Sequence, residues 1–293
     1  MNDEESVMPA LPGPSVRRRQ LGNALRKFRE GAHLTAEDAA RVLDCHASKL
    51  SRIENGQSGV RARDVRDLLD RYGVDDAAAR TALEALARSS YQRGWWHDYS
   101  DALDPGYTDL IALEATASDV RNYQTLLVPG LLQTESYLRA VIDAHPNGYA
   151  EEQVRQRLDV RAARQQALTR ESSPLRLWTV VHEAALRHAI GGARTMREQL
   201  AHLREFARVP NVTLQVLPFE VGAHPGLNGP FALIGFPELR DLDVVYLETL
   251  TSSLYVEAPE QVRQYADVFE HLRAVAASPK RSLAFIDRLR DDL

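Results

Sequence analysis

One cysteine among 293 residues, Cys45, excludes an internal disulfide and any zinc site built from several cysteines. A lone thiol fits a reducing cytoplasm. Long apolar runs are missing as well: stretches such as Leu126 to Val128 or Phe231 to Ile234 fall far short of the roughly 20 residues that span a bilayer, so no membrane association is expected. Asp3, Glu4 and Glu5 occupy the region where a secretory signal would place basic residues, so export is not expected. The usual signatures of catalysis are also lacking. There is no Gly-Lys dipeptide for a phosphate-binding loop and no Gly-x-Ser-x-Gly elbow, and Gly222, Gly226 and Gly229 lack the spacing of a dinucleotide fingerprint. His182-Glu183 begins like a zinc-protease motif, but Leu186 stands where a second ligand would share the helix face. His224 reads as a lone surface histidine in a loop. No enzymatic activity, cofactor or metal is expected.

What remains, 44% apolar and 26% charged, is the composition of a folded chain of two-domain length. Its net charge of −5 argues against nucleic acid only until it is divided. Arg17 to Gly73 holds 13 basic and 8 acidic residues, or +5, which leaves 23 basic and 33 acidic, or −10, elsewhere. Only Lys27, Lys49 and Lys280 are lysines, and so much arginine can also reflect nothing more than a GC-rich genome.

Residues 1 to 14, with Pro9, Pro12, Gly13 and Pro14, read as a flexible tail. A domain over 15–90 follows, built from five short helices. Leu21, Leu25 and Phe28 mark one apolar stripe, and Thr35 with Asp38 resembles a capping box opening the second helix. A third helix spans about His46 to Glu54 and stops at Asn55-Gly56; two more cover Arg61 to Tyr72 and Asp76 to Arg88. Asp44, at the bend, is expected in a left-handed conformation that Gly would adopt more cheaply. Residues 91 to 106, rich in aromatics, read as a linker, with Trp95 and Trp96 either pinning it by packing or stacking on nucleic acid.

Thr35 to Gly56, closing on Ser51-Arg-Ile-Glu-Asn-Gly56, resembles the Cro and phage-repressor (XRE) type of helix-turn-helix, with Asp44 where Gly is usual. The resemblance implies that 36–43 braces on the DNA backbone while 46–54 enters the major groove. It assigns Ala47, Ser48 and Arg52 to base edges. Arg52 suits guanine O6 and N7, and Ser48 pairs with several bases. Arg17, Arg18, Arg19, Lys27, His46, Lys49 and Ser51 are candidates for phosphate contacts. Two alternatives stay open: Arg52 could simply pair with Glu54, and Ser51 could cap or pack.

From 107 to 293 the periods mix. Helices are expected over 110–117, 131–143, 150–168, 194–208, 259–277 and 280–290. Strands are expected over 175–181, 211–217, 231–236, 244–248 and 254–257. Few βαβ units occur, so the fold class is multidomain: an all-α five-helix domain followed by a larger α+β domain with a mainly antiparallel sheet. Val128-Pro-Gly-Leu-Leu-Gln-Thr-Glu-Ser-Tyr137, Arg157-Leu-Asp-Val-Arg-Ala-Ala-Arg-Gln165, Val216-Leu-Pro-Phe219, Gly229-Pro-Phe231 and Tyr246-Leu-Glu-Thr249 resemble the C-terminal domain of actinomycete WhiJ-like, antitoxin-like transcriptional regulators. That resemblance implies a cytoplasmic regulator that binds double-stranded DNA, with a signal-receiving domain and a small partner protein encoded nearby. A homodimer is expected because one recognition helix reads too few bases. Pro129, Gly130, Gln133, Thr134, Glu135 and Tyr137 are candidates for a partner or ligand groove, or else form a tight structural turn. An antitoxin-like protein that mainly binds its partner, and a small-molecule sensor, are the competing functions.

Overall fold

A computed structural model describes residues 15–90, 94–99, 103–146, 148–236 and 242–293. The tail over 1–14, and 91–93 and 100–102 of the expected linker, lie outside the described residues. The chain divides into two compact units between Gln92 and Arg93.

The first unit contains α1 (Val16–Gly31), α2 (Ala36–Val42), α3 (Ala47–Glu54), α4 (Ala62–Tyr72) and α5 (Ala77–Ser89). Its boundaries follow local chemistry. Asp38 donates its backbone N–H to Thr35 Oγ1 at 3.1 Å, and Thr35 N–H donates to Asp38 Oδ2 at 3.0 Å, so α2 opens on a complete capping box. Asp44 has φ of 48°, the left-handed turn expected of it. Gly73 ends α4 in the same region, at φ 68°. Leu21, Leu25, Ala39, Ala40, Leu50, Ile53, Val65, Leu68 and Leu69 are buried on the helix faces their spacing predicts, Leu83 of α5 is buried as well, and Phe28 and Leu43 are only half-buried.

Two features fix α3 against α1. Gly22 lets the backbones meet, since a Cβ there would collide with the carbonyl oxygens of Ile53 and Glu54. Two helical turns further along, Arg29 grips Glu54 through two bonds, Nε to Oε1 at 2.7 Å and Nη2 to Oε2 at 3.0 Å, and also donates to Leu34 O at 2.8 Å. Both side chains are buried. Burial, with the negative charge of Glu54 adding to it, raises the pKa of the Tyr72 hydroxyl far above its usual value.

The second unit is built on a six-stranded sheet of order β3-β2-β1-β4-β5-β6. The strands are β1 (Asp119–Gln124), β2 (Arg176–His182), β3 (Val212–Leu217), β4 (Phe231–Gly235), β5 (Val244–Glu248) and β6 (Ser253–Val256). The α+β class holds, but the sheet is mixed. β1 pairs with β2, and β2 with β3, in parallel; the other three pairings are antiparallel. The parallel half depends on β1, a central strand that carries no apolar alternation. Its sequence is Asp-Val-Arg-Asn-Tyr-Gln, and Asn122 lies buried among the strands. Two helices, α7 (Glu135–Asp143) and α8 (Glu151–Gln165), cross from β1 to β2. The short α9 (Glu183–Arg187), which periodicity does not reveal, and α10 (Gly192–Phe206) cross from β2 to β3.

Both sheet faces are covered. Tyr123, Val180, Phe231, Leu233 and Val245 meet Val262, Phe269 and Leu272 of α11 (Pro259–Val275). Their alternating neighbours Val120, Thr179, Ile234 and Val244 are equally buried on the other face. The outer edge of β3 is closed by the junction leading into α12 (Pro279–Asp291): Ala277 N–H donates to Val216 O and Val216 N–H to Ser282 Oγ, both at 2.9 Å. Within the expected linker, Trp95–Tyr99 forms a 3-10 turn, and α6 (Pro105–Glu114) begins at Pro105. Trp96 packs with Leu103, Ile111, Ala112 and Val160. These residues therefore belong to the core of the larger unit instead of running free. Beside them Arg164 makes a buried two-bond pair with Glu114, at 2.7 and 2.8 Å, and bonds to the Tyr107 hydroxyl.

Two substitutions in the helical unit should move stability in opposite directions. Gly22→Ala forces α1 and α3 apart and should cost about 1–3 kcal/mol, whereas Asp44→Gly relieves a left-handed residue and should add about 1 kcal/mol. Denaturant titration of the full chain, followed by helical circular dichroism, checks both signs.

Candidate nucleic-acid interface

The eight residues of α3 divide cleanly by face. Leu50 and Ile53 are buried, while Ser48, Lys49, Ser51 and Arg52 are exposed and Ala47 is half-buried. His46, exposed, is the N-cap residue, and its side chain makes no capping bond. Asn55 bonds through Nδ2 to Ser51 Oγ at 3.4 Å, a local contact that leaves Ser51 at the surface. Gly56, at φ 71°, ends the helix where a side chain would collide with Arg19, and Gln57 and Ser58 donate to Arg52 O at 2.8 and 3.1 Å. Glu54 is occupied by Arg29, so it is not the partner of Arg52. The Arg52 guanidinium has no partner among the described residues, and it projects from a helix held rigidly from behind.

The phosphate candidates separate by burial. Lys27 is exposed on α1, and Arg18 and Arg19 are half-buried. Arg17 is a correction: it is 5% exposed and donates through Nη1 to Ser89 O at 3.3 Å, tying the start of α1 to the end of α5. Its position, one residue into the helix, turns it toward the core rather than the solvent. The fold instead adds two arginines that the sequence reading did not single out. Arg61 and Arg63, at the start of α4, line a cleft of about 340 Å³ beside α3 together with Lys49 and Asp64. Their signal in the sequence is only the Arg61-Ala62-Arg63 spacing, which acquires meaning once α4 is folded against α3.

In the larger unit the groove expected around Pro129 to Tyr137 is a structural corner. Pro129, Gln133 and Tyr137 are buried. Gln133 donates to Val128 O at 2.8 Å and accepts from Arg161 Nη1 at 2.7 Å, while its own carbonyl accepts from Gln165 at 2.6 Å. Tyr137 accepts from Val128 N–H at 3.2 Å, and burial raises its pKa. Thr134 caps α7 by accepting from Tyr137 N–H, and its backbone N–H donates to Gln199 Oε1 at 2.8 Å. Gly130 leaves room for Arg161, which any side chain there would strike. Of the six candidates, only Glu135 is fully exposed; it borders a cleft of about 160 Å³ with Arg155 and Asp159. That volume is below the roughly 300 Å³ at which pockets begin to hold drug-sized ligands.

His224 is not alone. Its ring lies 5.9 Å from that of His182 and 5.8 Å from that of Tyr123, and Phe219 sits edge-on to His182 at 5.1 Å. Each histidine accepts a backbone N–H at Nδ1 over 3.2 Å, His182 from Ala184 and His224 from Gly226, so both rings are neutral with the proton on Nε2. Burial lowers the pKa of both. The nearby Glu183 carboxylate partly offsets this at His182, and His182 itself adds to it at His224. Burial lowers His202 likewise. A depressed folded-state pKa means that the stabilisation is complete above the ordinary histidine value, about 6.5, and is lost as the pH falls below it. The melting temperature of the larger unit should therefore drop between pH 7.5 and pH 5.5. In His182→Gln/His224→Gln the drop should be smaller; an undiminished drop would assign the effect to His202.

Residues 20–83 match a helix-turn-helix domain, the class of unit that binds DNA, and they take in α2, α3 and the whole exposed face just described. Residues 107–288 match a domain of unknown function, DUF5753, which covers the sheet and well over half of the chain. No curated protein and no solved structure matches. No helix among the described residues is long and apolar enough to cross a membrane. The chain is thus a helix-turn-helix protein, and by its larger domain it belongs to the DUF5753 family.

Proposed function

We propose that the protein is a sequence-specific, dimeric transcriptional regulator that lays α3 in the major groove. The observation that carries the reading is the exposed, unpartnered Arg52 on a helix locked from behind by Leu50, Ile53 and the Glu54 carboxylate. Arg52 would take guanine, Ser48 would add a second polar contact, and Ala47 would leave space for close approach. Lys49, His46 and Ser51, joined by Arg61 and Arg63, would neutralise phosphates and set the register. One such helix spans a single half-site, so two copies on a two-fold operator supply useful specificity.

The resemblance to WhiJ-like, antitoxin-like regulators supports a second role for the larger domain, in docking a small partner protein. Leu126, Leu127, Phe219 and Leu227 favour it: all are exposed, and all lie on segments at the end of the sheet where β1 and β3 finish and β4 begins. Exposed apolar side chains gathered at one end mark an interaction surface more often than a solvent face.

Arg52→Ala should weaken binding to the preferred operator by about 1–3 kcal/mol and leave scrambled DNA almost unaffected. Gel-shift titration on the DNA upstream of the protein's own gene, against a scrambled duplex, reads both. An equal loss on the two duplexes would make Arg52 a phosphate contact. Binding that is indifferent to sequence in the unsubstituted protein would remove the specific-regulator reading.

A further inference from the structure

The two edges of the sheet are treated differently. The β3 edge is closed by Ala277 and Ser282, as described above. The β6 edge is open: among the described residues, no hydrogen bond reaches the main chain of Ser253–Val256 from the side away from β5. Open edges are normally blunted by charge, proline or a covering element. Here Thr249 to Val256 contains no charged residue and no proline. It carries instead Leu250, 94% exposed at the turn, and Leu254, 54% exposed in the strand. α6 does not cover the edge. Gly106 meets the side chain of Ser253 and accepts from the Tyr255 hydroxyl, which places the start of α6 over the face to which those two side chains point.

The register shows what would fit. Thr249 N–H donates to Ser252 O at 2.9 Å and closes the β5–β6 turn, with Glu248 opposite Ser253 and Leu247 opposite Leu254. Antiparallel pairs alternate between bonded and non-bonded, so Ser253 and Tyr255 are the residues that turn N–H and C=O away from β5. An antiparallel copy of the same strand, related by a two-fold axis through Leu254, sets Ser253 of one chain against Tyr255 of the other. Both pairs are then bonded, giving about four hydrogen bonds, and Leu254 faces its own copy at the closest cross-strand position. The main chain alone would accept other strands; a second copy adds that one two-fold operation buries the exposed Leu254 of both chains at once.

We propose that β6 is the homodimer interface, pairing antiparallel with β6 of a second copy about Leu254. The inference rests on the dimeric reading given above and specifies its surface. The two recognition helices it joins complete a DNA site that one copy fills only by half.

Sedimentation of the full chain, without DNA, should give a species of twice the 32.8-kDa chain mass. Leu254→Lys should raise its dissociation constant at least tenfold, and Leu227→Lys, also at an exposed leucine, should not. In a Cys45→Ser background, Leu254→Cys should cross-link to a covalent dimer under mild oxidation, and Leu227→Cys should not. A monomeric unsubstituted protein would overturn the dimer itself. A dimer that survives Leu254→Lys, or fails to cross-link through Leu254→Cys, would leave the dimer standing and overturn this interface. In the unsubstituted chain, amide exchange at Ser253 and Tyr255 should slow as concentration rises, an effect that requires no substitution; exchange independent of concentration would also overturn the interface.

Discussion

Between α1 and α3 a guanidinium and a carboxylate have been taken out of water together, and the helical unit is arranged around that pair. Removing either partner would strand a buried charge, at a cost of about 3–5 kcal/mol, a large fraction of what a small domain has in reserve. The pair therefore strongly disfavours any arrangement in which α3 moves away from α1. Arg29 also reaches Leu34 O, which fixes the chain just before the Thr35 cap that opens α2. One side chain thus joins the end of α3 to the loop preceding α2, and the two helices of the motif keep their mutual angle. Gly22 supplies the close approach that makes the reach possible. The exposed face of α3 needs no contact of its own to stay in place.

The larger unit solves a different problem, because its central strand is polar. β1 has neighbours on both sides, and around its buried Val120, Asn122 and Tyr123 stand the half-buried Asp119, Arg121 and Gln124. Arg121 lies near Asp119 and Asp243, at 3.4 Å from each, so charges that begin inside the sheet are matched at its rim. What holds β1 is its neighbours: β2 on one side and β4 on the other, with α11 packed across Tyr123. A strand stabilised this way has little need of an apolar sequence.

That difference explains what could be read in advance. Elements whose own residues make their boundaries were legible: Thr35 and Asp38 cap α2, Asp44 takes the left-handed turn, Asn55-Gly56 stops α3, and Val212, Leu214 and Val216 alternate along β3. Their information is local. β1 was not legible, since Asp-Val-Arg-Asn-Tyr-Gln becomes a strand only through partners more than 50 residues away, and without it the parallel half of the sheet could not be foreseen. The candidate site divides in the same manner. The exposed face of α3 follows from helical spacing. Arg17 looks identical to Arg18 and Arg19 in a basic run, yet helix phase turns it inward toward Ser89. Gln133 and Tyr137 suggested a groove because polar tips cluster there, but Arg161 takes up the Gln133 side chain, Val128 N–H donates to the Tyr137 hydroxyl, and Gln165 and Gln199 bond the main chain of Gln133 and Thr134. His182 and His224, 42 positions apart, come together only because β2 and the segment before β4 end side by side.

The bonds from Ala277 and Ser282 to Val216 have an effect on how copies can accumulate. A sheet with two open edges is a repeating unit: each added copy presents a fresh edge, and growth continues into a fibre. Closing the β3 edge with a turn of its own chain leaves one side only. Whatever strand takes that side uses it up, and the assembly stops at a finite size. Two bonds at the end of the fold, one made just before the C-terminal helix and one within its first turn, thus separate a protein that can pair from one that would polymerise.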